Sequence, residues 1–432
     1  MNDAPLVIKG GYVIDNHGLG RSDIAISPEG LITQCENDIE ISSDQRVIDA
    51  SGLYISPGFV DLHTHLREPG NSEAETIVSG TRKAALGGFT TVVAMPNTSP
   101  SIDCTSMVHE IRALAKLAVI NVEIASAITL ERKGEGLVNM KAMADLGVVM
   151  FTDDGNGVQD SSIMDKALSY AGELGVVVAQ HLETNSISTG GLANLGPISQ
   201  RLGIPGIPAS SEEIMLARDL ILLKNRNAKY HAQHISTSGS LEIIEIAKQR
   251  GLKFTCEVTP HHLFLDDSLV EKFNPIYKVN PPLRGTMDIN EMRRGLLEGT
   301  IDAIATDHAP HTLEAKEKSF SEAPCGIESL DIALGIILKT FGLDIKDQID
   351  AGKFVRVIDA LTTRPRNIIS KSRQTSLLSV GARGDLAIFS LDEKKEVAKE
   401  RISPYGGLNF FGKVIYTICG GKVVVENGVG NW

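Results

Sequence analysis

Eight short apolar segments alternate with stretches of helical pattern through the middle of this chain, and no other feature narrows the fold as much. The segments are Phe59 to Leu66, Thr90 to Met95, Val122 to Ala127, Val148 to Phe151, Val176 to Gln180, Lys229 to Gln233, Phe254 to Val258 and Ile301 to Ala305. Near-continuous apolar runs of this length suit strands buried on both faces, and the helices between them supply the crossovers that parallel pairing needs. Eight such units predict an α/β chain folded as a (β/α)8 barrel, the TIM barrel architecture. The longest helical stretches, such as Ser211 to Lys224, are amphipathic and are expected to pack outside the barrel.

The flanks read differently. Residues 5 to 56 hold short strand-like runs, among them Leu6-Val7-Ile8, Tyr12-Val13-Ile14 and Ile24-Ala25-Ile26, separated by Gly, Asn, Asp and Pro turns. Similar runs return near the other end in Leu386-Ala387-Ile388-Phe389, Val414-Ile415-Tyr416 and Lys422-Val423-Val424-Val425. The two sets are expected to pair into one small β-sandwich. The division that follows is 1–56 and 371–432 for the two parts of the β-sandwich domain, with 57–370 forming the barrel.

At 432 residues with a net charge of −12, the chain is large enough for a substantial core and too acidic for a nucleic-acid binder, so small molecules are the expected partners. Five cysteines, Cys35, Cys104, Cys256, Cys325 and Cys419, show no CxxC spacing and read as free thiols. Met1-Asn2-Asp3-Ala4-Pro5 lacks the basic and apolar regions of a signal peptide, and no apolar run reaches membrane-spanning length, so the expected location is the cytoplasm.

In a barrel of this kind the active site forms at the carboxyl ends of the strands. Nine of the 11 histidines fall at or just beyond such an end: His63, His65, His181, His231, His234, His261, His262, His308 and His311. Asp153, Asp154, Glu183 and Asp307 follow the same rule. In His63-Thr64-His65 the two imidazoles are two apart on a strand and face one side, as a shared metal requires. Imidazoles and carboxylates converging on one mouth are what a zinc or manganese hydrolase needs, with bound water acidified toward neutral pH.

Six motifs in order then carry a family resemblance. They are His63-Thr64-His65-Leu66-Arg67-Glu68-Pro69-Gly70, Met95-Pro96-Asn97-Thr98, Phe151-Thr152-Asp153-Asp154-Gly155, Thr259-Pro260-His261-His262-Leu263, Asn280-Pro281-Pro282-Leu283-Arg284 and Thr306-Asp307-His308-Ala309-Pro310-His311. Together they resemble the long, class I dihydroorotases of the amidohydrolase superfamily, over essentially the whole chain. The resemblance implies His63, His65, His181 and His234 as metal ligands, with Asp153 bridging two zinc ions and Asp307 both touching metal and shuttling a proton. Many amidohydrolases bridge their metals with a carboxylated lysine on strand 4, but Gly147-Val148-Val149-Met150-Phe151 contains none. Asp153 is expected to take that place. Asp154 is the adjacent competitor, and Asp-Asp-Gly-Asn-Gly is also an ordinary turn sequence.

The activity implied is the zinc-dependent, reversible cyclisation of N-carbamoyl-L-aspartate to L-dihydroorotate in pyrimidine synthesis. Hydrolysis would proceed by attack of a metal-bound hydroxide on the ring amide, with Asp307 carrying the proton to the leaving nitrogen. One or two Zn2+ per subunit are implied, two preferred. Arg67, two beyond His65, offers a bidentate clamp for the substrate carboxylate. Asn97 and His311 resemble the family's other carboxylate contacts, Asn280 its contact to the pyrimidine ring, and backbone groups near Cys325-Gly326 complete the set. A homodimer and association with an aspartate transcarbamoylase are the expected assemblies.

The remaining histidines near the strand ends receive plainer readings. His231 and His234 lie three apart, so they are expected on opposite sides of their strand, with His234 the ligand and His231 packed in the core. His261, His262 and His308 are expected to support the ligands. Two departures from the family pattern stand out: Thr184 after His181-Leu182-Glu183, where an acid is common, and Thr363-Arg364-Pro365-Arg366 in place of Thr-Asn-Pro-Ala. The rival readings are another cyclic amidohydrolase, a hydantoinase or allantoinase, and a non-catalytic partner of aspartate transcarbamoylase. The missing lysine opposes the first, and retention of every expected ligand opposes the second.

Overall fold

The computed structural model describes residues 4–345, 349–371 and 376–432. Met1 to Asp3, part of the amino terminus read for a targeting signal, lie outside them. Eight parallel strands run in sequence order around the centre: β1 (Phe59–Thr64), β2 (Phe89–Ala94), β3 (Asn121–Ser126), β4 (Met150–Phe151), β5 (Val177–Gln180), β6 (Lys229–Ala232), β7 (Thr255–Val258) and β8 (Ala303–Ile304). Each matches one of the eight apolar segments. The ring is drawn together just past the ends of β1 and β8, where Thr64 bridges His308 in parallel and the His65 amide donates to the His308 carbonyl at 2.9 Å.

Helices cover the outside because the outward residues of the strands are apolar and need a partner. Ser161–Leu174 shows how the local sequence sets their limits: Asp160 caps its first turn by accepting from the Ser162 and Ile163 amides, and Gly175 ends it at φ +70°. Outward Val92, Ile124, Phe151, Val178, Tyr230 and Val258 join the helices in the largest apolar cluster. Inside the barrel Val60, Leu62, Val93, Ala125, Met150 and Val177 form a second cluster. On β6 and β7 the polar side chains of His231 and Glu257 stand at the positions alternating with outward Tyr230, Ala232, Cys256 and Val258. A polar inner wall therefore begins well below the mouth.

The terminal segments form two further sheets. Ile32–Glu36, Asp23–Ile26, Leu6–Lys9 and Arg46–Asp49 make a four-stranded sheet. Tyr54–Pro57, Tyr12–Asp15 and Gly18–Arg21 join Leu386–Glu396, Asn409–Cys419, Lys422–Glu426 and Val429–Gly430 in a seven-stranded one. Leu6, Ile8, Ile24, Ile26, Ile55, Leu386 and Ile388 pack between the two sheets, giving the small sandwich expected from the sequence. The pairing of Tyr54–Pro57 with Leu386–Phe389 is antiparallel and unites the two ends of the chain. Phe389 also stacks on Tyr54 at 5.9 Å and meets Phe59 of β1 at 6.3 Å, so aromatic packing seats the sandwich against the start of the barrel.

Candidate metal-dependent active site

The carboxyl ends of β1, β4, β5, β6 and β8 bring six side chains to one buried place. Asp154 lies at its centre. Its Oδ1 is 3.2 Å from His63 Nε2, 3.6 Å from His181 Nδ1 and 3.7 Å from His234 Nε2, and its Oδ2 is 3.5 Å from His65 Nε2. Asp307 Oδ1 closes the other side, 2.9 Å from His65 Nε2 and 3.5 Å from His63 Nε2. All six residues are buried.

Asp153, expected as the bridging carboxylate, is turned away. It accepts hydrogen bonds from the Ile128 amide at 2.8 Å, the Thr129 amide at 3.0 Å and the Thr129 hydroxyl. Its role is to pin the loop after β3, while the neighbouring Asp154 takes the position among the imidazoles. β4 ends at Phe151, so strand alternation no longer governs which of two consecutive aspartates points inward.

The expected opposition of His231 and His234 is also corrected. β6 ends at Ala232, and His234 has a φ of +32°, which breaks the strand alternation and swings its ring toward the mouth. His231 stays in the barrel wall below, with Nδ1 2.8 Å from the Thr255 hydroxyl and Nε2 2.9 Å from Glu257 Oε2. Glu257 Oε1 in turn lies 2.9 Å from His63 Nδ1, so His231 reaches the cluster through one shared carboxylate. The two imidazoles, opposing burial, hold the Glu257 carboxyl down to about 2. Glu257 was missed in the sequence, although a lone carboxylate in the apolar run Phe254 to Val258 is itself a signal.

His65 and His181 are each oriented by a partner. Asn97 Oδ1 is 2.8 Å from His65 Nδ1, which leaves Nε2 to face Asp307. Glu183 Oε2 is 3.0 Å from His181 Nε2 and also accepts from Asn280 Nδ2 at 2.8 Å. Thr184, where an acid is common, instead bonds the Ser211 carbonyl through its hydroxyl, so Glu183 supplies the carboxylate to this ring. His308 Nε2 pairs with Glu75 Oε2 at 2.9 Å, and His262 lies between the Thr259 hydroxyl and the Pro281 carbonyl. His261 is buried with neither ring nitrogen bonded among the described residues.

The electrostatics suit a cation. Burial alone would raise the Asp154 carboxyl, but the His63 charge and hydrogen bonds from His181, His234 and His63 hold it well below the usual carboxylate range. Asp307 is likewise held low against burial by His63 and His65. The donor set contains only imidazole nitrogen and carboxylate oxygen, which fits zinc and similar divalent ions. Two triads, His63 with His65 and Asp307 and His63 with Asp154 and His234, have ligating atoms within 4.8 Å of one another. His63 Nε2, buried and set between Asp154 Oδ1 at 3.2 Å and Asp307 Oδ1 at 3.5 Å, faces the point where a metal would sit.

Of the residues expected to hold substrate, Arg67 and His311 stand together, with Arg67 Nη2 3.3 Å from His311 Nε2. Arg67 Nε donates to the Pro310 carbonyl at 3.1 Å, and His311 Nε2 lies 2.7 Å from the Cys325 carbonyl. Asn97 and Asn280 flank the cluster through their contacts with His65 and Glu183. The departures near Thr363 are structural: Arg364 Nε bonds Asp359 Oδ2 at 2.7 Å and Arg366 Nη2 bonds the Thr91 hydroxyl at 2.6 Å.

A parallel barrel whose carboxyl mouth gathers four imidazoles and two carboxylates defines a metal-dependent hydrolase of the amidohydrolase class. Solved structures agree on the fold: an L-hydantoinase from Arthrobacter aurescens superimposes with a TM-score of 0.87 at 22% identity, covering 99% of this chain and 98% of the other. A D-hydantoinase from a Thermus species gives 0.81 at 24%, covering 99% and 97%. A family model described as dihydro-orotase-like matches residues 52–240. Dihydroorotases from Pelotomaculum thermopropionicum and Caldanaerobacter subterraneus subsp. tengcongensis are 40% and 41% identical over 98% and 97% of this chain, and over 99% and 96% of their own lengths. The chain belongs to the dihydroorotase family.

Proposed function

We propose that the chain catalyses the reversible cyclisation of N-carbamoyl-L-aspartate to L-dihydroorotate and water in de novo pyrimidine synthesis. Identity near 40% with dihydroorotases over almost the whole length carries this reading. The cluster supports it: β4 carries no lysine of the kind the hydantoinase and allantoinase reading needs, and Asp154 beyond it supplies a carboxylate among the imidazoles.

His63, His65, Asp154, His181, His234 and Asp307 would hold one or two divalent ions, zinc with two per subunit preferred. Metal bound there would polarise the scissile carbonyl and lower the pKa of water. The chain's own groups do the rest. Arg67 and His311 receive the substrate carboxylate, with Asn97 beside them, and Asn280 orients the ring. In hydrolysis a water oxygen adds to the amide carbon as the C–N bond breaks, and Asp307 takes the water proton and delivers it to the departing nitrogen. Cyclisation reverses each transfer. A homodimer, association with an aspartate transcarbamoylase and a cytoplasmic location belong to the same reading.

Parallel assays of dihydroorotate and hydantoin hydrolysis on purified protein, with metal content by elemental analysis, test it. Dihydroorotate turnover with bound metal is expected; hydantoin turnover without dihydroorotate turnover would overturn the assignment.

A further inference from the structure

Two lysines beside the mouth are buried without a carboxylate partner among the described residues. Lys278 is 8% exposed and Lys316 6%. Lys278 Nζ donates to the carbonyls of Ser321 at 2.9 Å and Ala323 at 2.7 Å. Lys316 Nζ donates to the carbonyls of Pro324 at 2.9 Å, Pro275 at 3.0 Å and Lys278 at 3.4 Å. Desolvating an ammonium costs several kcal/mol, and apolar side chains would fill the same space without that cost. Two such groups side by side therefore point to a requirement other than stability.

Their bonds define it. The chain from Leu313 to Cys325 leaves the barrel after His311 and returns at Gly326, whose amide donates to the Lys278 carbonyl at 2.9 Å. Cys325 supplies the carbonyl that fixes His311, and Asn280 follows Lys278 by two residues. Four of these five lysine bonds run from one segment to the other, and the fifth, from Lys316 to Pro324, stays within the loop. Burial, with the like charges of Lys278 and Arg67, pushes the Lys316 ammonium down to about 8, so the lysines and Arg67 also make this wall of the mouth repel itself until an anion arrives.

We propose that Lys278 and Lys316 are positioning residues for substrate binding: their carbonyl-held ammonium groups lock the loop bearing His311 and the Cys325 carbonyl to the segment bearing Asn280, setting the carboxylate and ring contacts in register. This rests on the dihydroorotase reading, and neither lysine touches the ligand cluster. Loss of either ammonium frees the loop, so affinity falls while the metal centre and the proton transfer at Asp307 stay intact.

The test uses Lys278→Met and Lys316→Met in the full-length holoenzyme. KM for dihydroorotate is expected to rise at least tenfold with kcat within threefold and metal content unchanged; KM within twofold of the parent in both variants overturns the proposal, as does a fall in metal content that accounts for the change. Amide hydrogen exchange of residues 317–326 is read on the same samples without substrate, expected to quicken about tenfold while β1 to β8 stay protected. Unchanged exchange overturns the lock whether or not the parent turns over dihydroorotate, so failure of the functional reading is seen separately in the parent assay. If the Met variants do not fold, Lys278→Arg and Lys316→Arg decide: a planar guanidinium cannot occupy the ammonium cage, so KM rises at least fivefold, and KM within twofold overturns the proposal.

Discussion

Asp154 places Oδ1 3.2 Å from His63 Nε2, while Asp153, one residue earlier, spends its carboxylate on the Ile128 and Thr129 amides. Adjacent aspartates thus divide two tasks, and substitution should separate them. Asp154→Ala is expected to lose most bound metal and all measurable turnover with little change in fold. Asp153→Ala leaves two buried amides without their acceptor and should cost about 2 to 4 kcal/mol in denaturant unfolding, while metal content stays near normal. Elemental analysis and unfolding curves on both variants check the division, and metal loss confined to Asp153→Ala would reverse it.

Asp307→Asn keeps the shape beside His65 Nε2, 2.9 Å away, but removes the group that accepts a proton. Metal should remain bound and kcat should fall at least 10²-fold, in line with the usual contribution of a positioned acid or base. Turnover within tenfold of the parent would exclude Asp307 as the proton carrier.

Arg67 has its Nε on the Pro310 carbonyl and its Nη2 3.3 Å from His311 Nε2, so its guanidinium edge lies beside His311 where a carboxylate would be received. Arg67→Lys keeps the charge and loses the paired geometry. KM should rise about tenfold or more, equivalent to roughly 1.4 kcal/mol for each factor of ten, with kcat less affected. Steady-state kinetics that show an unchanged KM would refute the clamp.

Gly326 has φ +149°, and a Cβ there would lie 2.4 Å from the Ala309 carbonyl oxygen and 2.8 Å from His311 Nε2. Both neighbours belong to the substrate side of the mouth. Gly326→Ala should displace His311 and raise KM at least tenfold without loss of metal. Parent-like KM would mean that His311 tolerates the shift.

His262 uses both ring nitrogens in the neutral form, Nε2 donating to the Pro281 carbonyl and Nδ1 accepting from the Thr259 hydroxyl. Burial, with the charges of His234 and Arg284, pushes its pKa down to about 3. The unfolded chain binds the proton near pH 6.5 and the folded chain only near 3, so stability is full above 6.5 and is lost as pH falls through that window. His262→Gln should flatten the acid limb of the unfolding free energy by up to about 1.4 kcal/mol per pH unit. An unchanged slope between pH 6 and 4 would show that other groups govern it.

The barrel was legible because eight buried strands leave eight apolar runs, and the termini betrayed the sandwich by short apolar runs set between turn residues. The histidines gathered at the mouth were legible for the same reason, since strand ends mark it. What could not be read were the side chains placed by departures from regular geometry. The inward aspartate lies past the end of a two-residue strand, where neither the resemblance nor the strand pattern separates Asp153 from Asp154, and His234 sits at φ +32°, so a period of two misjudged the relation of His231 to His234. Glu257 was hidden differently: it has ordinary strand geometry, and only its partners His63 and His231, distant in sequence, reveal its purpose.

The strand Tyr54–Pro57 immediately precedes β1 and pairs on one edge with Tyr12–Asp15, yet its partner on the other edge begins at Leu386, and Ser56 contacts a residue 331 positions later in the chain. During synthesis all eight barrel strands leave the ribosome before that partner does. For that interval the nascent chain carries a strand edge ready to pair with any other extended segment. Folding of the barrel and protection of this edge are therefore separated in time, and the final stretch of translation acts as the step that seals the molecule against association with its neighbours.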